Sequence, residues 1–253
     1  MADPYEGVTP DGTIRTGARR DRVLAIFEPV LSDAVALLGA SGASLYVYGS
    51  VATGSARPGS SDVDLLSIGL QDEATVGGRL SALYADRCRG VEVAAASAAD
   101  YVGDTDAAYG NRVFLRHYCV HLAGPDPSTA LPPFPADARA ARGFNGDLDR
   151  HHRRWQQALA ANTVAAEELG VRVARKTLLA LAGLVSVHDH IWTTDRSRAV
   201  RRWSEIEPGL AVPLDRLHSW TEGTQVPTRG QLEEAIGDDG AVVAIVERFA
   251  SLV

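Results

Sequence analysis

Asp62 and Asp64 stand one residue apart, eleven residues after the Gly49-Ser50 step. The apolar run Ser44 to Tyr48 predicts a strand leading into that Gly-Ser turn, and Val63 to Leu70 predicts a second strand that opens on the acidic pair. Residues two apart in a strand share a face, so both carboxylates point to one place at the edge of a sheet. Side by side they repel, and a divalent cation, Mg²⁺ above all, relieves the repulsion. Gly49 lets the backbone approach a phosphate closely, and the Ser50 hydroxyl adds a donor. A third carboxylate belongs on a neighbouring strand. Glu92 fits, because it faces away from Val91 and Val93 in an apolar strand where a metal or a substrate hydroxyl would be its partner. An Asp-x-Asp by itself is common in turns and surface strands. The upstream Gly-Ser and the following Leu65-Leu66 are what turn this one into a site for phosphoryl-type transfer.

These residues need a scaffold, and the rest of the chain predicts one. Residues 1–18 are rich in Gly, Pro and Asp and are expected to form a flexible tail. From Arg19 the spacing of Val23, Ile26, Phe27, Val30, Leu31, Ala34 and Leu38 predicts a helix that Pro29 bends. Helices are expected over 73–87 and 107–115, and strands over 91–95 and 118–122. Strands alternating with helices make residues 19–135 an α/β domain with a mixed sheet. The five prolines between Gly124 and Pro135 mark its end. Beyond them every apolar pattern is helical, over 136–161, 167–188, 197–204, 213–222 and 230–252 with a break near Gly237, so residues 136–253 are expected to be an all-α domain.

Composition sets outer limits. A chain of 253 residues with 45% hydrophobic content can bury a core, and a net charge of −7 argues against a protein that coats nucleic acid or an anionic membrane. From Asp149 to Trp203, however, ten Arg and Lys residues face five Asp and Glu, which suits an anionic ligand or a solvated helical face. Arg172 and Lys176 share a helix face there, available to phosphates or to solvent alike. Lys176 is the single lysine among 25 basic residues, a sign of coding bias and not of function. Two separated cysteines, Cys88 and Cys119, are too few for a disulfide framework and predict reduced core residues in a cytoplasmic protein. The first twelve residues lack the apolar stretch of a signal peptide, and no apolar run is long enough to span a membrane. His151-His152 and His188-Asp189-His190 lack the i, i+4 spacing of a helical zinc pair, and satisfied helix-end histidines account for them. His117 and His121 share a face if both lie on a strand, with ordinary sheet packing between them.

The segment Gly49-Ser50 through Ser61-Asp62-Val63-Asp64-Leu65 resembles the signature of the DNA polymerase β-like nucleotidyltransferase superfamily. Gly90-Val91-Glu92-Val93, the stretch from Arg116 to Pro125, and the region from Val173 to Trp203 are similar to the aminoglycoside adenylyltransferases that modify streptomycin and spectinomycin. The resemblance implies a small mixed sheet carrying the acidic residues, then a helical domain, with ATP and acceptor held between them. It implies that Asp62 and Asp64 bind Mg²⁺, joined by Glu92, which also acts as base toward the acceptor hydroxyl. Ser50 and Ser61 match serines that touch the phosphates, and Arg198 or Arg196 matches a basic residue that reaches the triphosphate. Glu167 and Glu168 stand near the place where that branch holds the acceptor's amines, and Tyr109 in the region where it stacks a tryptophan on the acceptor. The implied protein is an antibiotic-resistance enzyme with ATP as co-substrate, a monomer or weak dimer without nucleic-acid or membrane partners. Two rivals stay open: a transferase that adenylylates a partner protein, as antitoxins of this superfamily do, and a non-catalytic nucleotide-binding relative.

Overall fold

The computed structural model describes residues 3–38, 42–69 and 73–252. Met1–Pro135 and Ala136–Val253 form two compact units, the first a mixed four-stranded sheet with helices, the second all helical.

The first unit begins with an antiparallel ribbon of β1 (Gly7–Val8) and β2 (Ile14–Arg15). This corrects the expectation of a flexible tail. Ile14 is buried and its N–H donates to the Phe134 carbonyl at 2.9 Å, while the Thr16 hydroxyl donates to the His117 carbonyl. Composition rich in Gly, Pro and Asp suits a tight ribbon as well as a loose end, and here long-range pairing decides between them. Two 3₁₀ turns follow, over 20–22 and 25–27, before helix α1 (Glu28–Leu38). Pro29 therefore lies in the first turn of α1, where its missing N–H costs nothing, and it does not bend the helix.

The main sheet comprises β3 (Ser44–Tyr48), β4 (Val63–Ile68), β5 (Val91–Ala96) and β6 (Val120–Ala123), in the order β5-β4-β3-β6. The short helix α2 (Gly49–Thr53) leaves the end of β3, α3 (Glu73–Leu83) connects the parallel pair β4 and β5, and α4 (Asp106–Tyr118) precedes β6. Alternation sorts the side chains. Leu45, Val47, Val63 and Leu65 pack with Phe27, Leu31 and Leu80 on one face, and Tyr46, Leu66 and Ile68 pack with Leu115 of α4 on the other. Residue 118 ends α4 and does not start the last strand. His117 is thus helical and His121 extended, so the two do not share a strand face.

The second unit is built on α7 (Ala166–His188), whose thirteen buried residues include Leu169, Val173, Leu178, Leu181 and Val185. Around it pack α5 (Ala138–Asn145), α6 (Leu148–Ala161), α8 (Arg196–Ile206), α9 (Ala211–Glu222), α10 (Arg229–Ile236) and α11 (Ala241–Ala250). The single helix expected over 136–161 is two. Its break falls at Gly146-Asp147, where glycine weakens the helix and Asp147 turns to bind Lys176 at 2.8 Å and His151 at 3.1 Å. All four tryptophans, Trp155, Trp192, Trp203 and Trp220, are buried in this unit. Among the described residues no helix is long and apolar enough to cross a membrane.

Candidate active site

The pairing of β4 with its neighbours assembles the site. Asp64 lies opposite Tyr48 in the antiparallel pair with β3 and opposite Glu92 in the parallel pair with β5. One row across three strands thus reads Tyr48, Asp64, Glu92, on the face where Leu66 and Ile68 continue β4 into the core. Val91 and Val93 point to the opposite core, as the alternation requires. Glu92 itself is exposed, because β5 is an edge strand. Burial therefore does not oblige Glu92 to find a partner, contrary to the sequence argument. Its register against Asp64 is what places it in the site.

Asp64 is mostly buried, and its carboxyl is pushed up to about 6. Burial is the larger cause, followed by the negative charges of Glu92 and then Asp62, while Arg89 pulls the other way. Gly49 makes room for this carboxylate. Its backbone has φ +67°, and a Cβ at that position would lie 2.4 Å from Asp64 Oδ2. Tyr48 completes the row, its phenol raised by burial and then by Asp64.

Asp62 is occupied otherwise. Arg89 Nε donates to Asp62 Oδ1 at 3.0 Å and its Nη2 donates to Oδ2, a bidentate pair. Sequence reasoning missed Arg89. The signal lay in the register, since pairing Val63 with Val91 sets Ser61 beside Arg89, whose N–H donates to the Ser61 carbonyl at 3.0 Å.

Gly49 and Ser50 open α2 directly after Tyr48, so a short helix replaces the expected open turn. The Ser50 carbonyl accepts the N–H groups of Ser55 and Ala56. The Ser61 hydroxyl accepts the Arg57 N–H at 2.9 Å, which shapes the loop ahead of Asp62. Tyr109, on α4, packs edge-on against Phe134 with ring centroids 5.2 Å apart.

The remaining predicted residues lie in the second unit. Asp195 caps α8 by accepting the N–H groups of Ser197 at 2.9 Å and Arg198 at 3.2 Å, which sets Arg198, exposed, in the first helical turn. Arg196 Nε donates to the Arg175 carbonyl at 3.3 Å. Its guanidinium pKa is lowered, first by burial and then by the charge of Arg175. Lys176 is committed within the unit, its Nζ 2.8 Å from Asp147 Oδ1 and donating to the Phe144 carbonyl at 3.2 Å. Glu167 and Glu168 occupy the first turn of α7, where the helix dipole favours acids, and Glu168 pairs with Arg172.

The fit of this group to Mg²⁺ can be judged from the donors. Among the described residues no three His, Cys, Asp or Glu side chains converge as a finished metal cage. Magnesium does not demand one, since it keeps waters and takes one or two carboxylates together with substrate phosphates. Asp64 and Glu92 share a row, Asp62 adds a third negative charge, and the missing Cβ of Gly49 keeps Asp64 Oδ2 clear. The donor set fits.

An acidic row of this kind, seated at the strand ends of a small mixed sheet, suits metal-assisted transfer of a phosphoryl-type group. Residues 30–87, which contain the Gly-Ser step and both aspartates, match the model of the nucleotidyltransferase domain family NTP_transf_2, so the first unit carries a nucleotidyltransferase domain. The fold as a whole is similar to the crystal structure of the spectinomycin adenyltransferase AAD(9) from Enterococcus faecialis, crystallised with ATP and spectinomycin. That likeness has a TM-score of 0.51 at 10% identity and covers 91% of this chain and 98% of the other. The likeness bears out the expected fold, and the family match bears out the expected superfamily. No curated protein matches the chain by sequence.

Proposed function

We propose that the protein is a magnesium-dependent adenylyltransferase that moves AMP from ATP to a hydroxyl of a small cationic acceptor, an aminoglycoside or aminocyclitol such as streptomycin or spectinomycin. The observation that carries the reading is the register of Asp64 against Glu92, with Asp62 two residues before Asp64, inside the matched domain. Asp62 and Asp64 hold the metal. Magnesium, when bound, neutralises the triphosphate and the departing pyrophosphate. Glu92, exposed at the sheet edge, takes the proton of the acceptor hydroxyl as that oxygen bonds to the α-phosphorus and the bond from that phosphorus to the bridging oxygen breaks. Gly49, Ser50 and Ser61 are the candidates for meeting the phosphate oxygens. Within the first unit Tyr109 is a candidate for contact with an acceptor; within the second, taken by itself, Arg196 and Arg198 are cationic candidates for phosphate and Glu167 and Glu168 acidic candidates for an amine. A spectinomycin- and ATP-bound structure of similar fold supports this choice of co-substrate and acceptor.

The test is to incubate the full chain with Mg-ATP and a panel of aminoglycosides, following pyrophosphate and the mass of each drug. A drug heavier by one AMP residue, with pyrophosphate in equal amount, is the expected result. Pyrophosphate with no modified drug would direct the search to a protein acceptor. The absence of both would end the adenylyltransfer reading.

A further inference from the structure

We propose that Arg89 is a positioning residue for Asp62, and that a divalent cation must displace its guanidinium to take the carboxylate, so that Arg89 sets the metal affinity of the site. The inference rests on the magnesium reading above. The arginine fork engages both oxygens of Asp62. A carboxylate offers about four lone-pair positions, and a fork lying in its plane takes the two that face it. Arg89 and the cation thus compete for the same small group.

The backbone presets the contest. The Val63 N–H donates to the Gly90 carbonyl at 2.9 Å and the Arg89 N–H to the Ser61 carbonyl at 3.0 Å, so the residues flanking Asp62 and the one preceding β5 are stitched together. The side chains are unequal partners. Asp62 is 18% exposed and Arg89 63%, so Arg89 is the one that swings into water when the pair opens. An ion pair with so exposed an arm is weak, which lets a cation break it. Asp64 and Glu92 supply the pull, because the Arg89 fork is spent on Asp62 and its charge only partly offsets the negative charge around Asp64.

Mn²⁺ titration of the full chain without nucleotide, with free Mn²⁺ read by electron paramagnetic resonance, tests this. Arg89→Ala should bind Mn²⁺ about two- to five-fold more tightly than the parent, the factor expected on releasing an exposed ion pair. Arg89→Lys separates competition from plain charge, since it keeps the cation but cannot form the fork. It should track Arg89→Ala. If Arg89→Lys matches the parent while only Arg89→Ala tightens, the effect is long-range charge and the proposal falls. Unchanged or weaker binding in both variants overturns it as well. Asp62→Asn in the parent separates the two levels of inference: loss of Mn²⁺ binding keeps the magnesium reading whichever way the Arg89 variants go. A parent chain that binds no Mn²⁺ overturns both. Circular dichroism confirms that each variant is folded.

Discussion

The Cβ that Gly49 lacks would stand 2.4 Å from Oδ2 of Asp64. This close approach joins the Gly-Ser step to the acidic row, because the glycine that ends β3 is also the wall against which the buried carboxylate rests. Gly49→Ala meets two penalties, a left-handed backbone that alanine resists and a collision that moves Asp64. The expected loss is about 1–2 kcal/mol in stability, together with a drop in kcat for AMP transfer larger than the change in KM. Denaturant titration and steady-state kinetics check the two parts separately.

Asp64→Asn should uncouple function from stability. The Asp64 carboxyl is raised to about 6, so its ionised form at neutral pH costs the fold free energy that asparagine does not. With allowance for solvent screening the gain is about 1–2 kcal/mol, seen as a melting temperature several degrees higher at pH 7.5. Activity should fall by about a hundredfold or more. A variant that is both less stable and fully active would contradict the assignment.

The strands that carry the acidic residues were legible because short-range rules fix them. Apolar runs marked β3, β4 and β5 and the glycine marked the end of β3, while the place of Glu92 beside Asp64 comes from the parallel register. What escaped depended on partners far along the chain. The ribbon at the N-terminus is held by Phe134 and His117, more than a hundred residues away. Arg89 finds Asp62 only through the parallel register. In the second unit, the helices from 166 onward were visible because nearly every turn of α7 is apolar. The break at Gly146-Asp147 was not, since it depends on Lys176 thirty residues later.

Lys176, which the sequence left open to phosphate or solvent alike, has partners within the second unit. Its ammonium neutralises Asp147 and ties off the Phe144 carbonyl near the end of α5. Lys176→Met should therefore destabilise the second unit by about 1–2 kcal/mol, with His151 softening the loss by remaining beside Asp147. The KM for ATP should stay within about twofold of the parent value. Calorimetric melting with initial-rate kinetics decides. A weaker KM at unchanged melting temperature would return Lys176 to the nucleotide.

His117 gives the fold an acid limit that is separate from the catalytic carboxylates. The ring is largely buried, and its Nε2 accepts the Phe134 N–H at 2.9 Å, which only the neutral imidazole can do. Burial first, and then the charge of Arg116, lower its pKa from 6.5 to about 4. Between those values the unfolded chain binds the proton and the native chain does not, so unfolding becomes easier as the pH falls. The contribution is complete above about pH 6.5 and gone below about pH 4. After discounting for partial exposure it amounts to about 1–2 kcal/mol. Because Phe134 also accepts the Ile14 N–H, protonation should loosen the N-terminal ribbon along with the end of α4. His117→Gln, which can keep an acceptor for Phe134 without titrating, should flatten the dependence of urea midpoints on pH between 4 and 6.5. An equally steep profile in that variant would show that other groups set the limit.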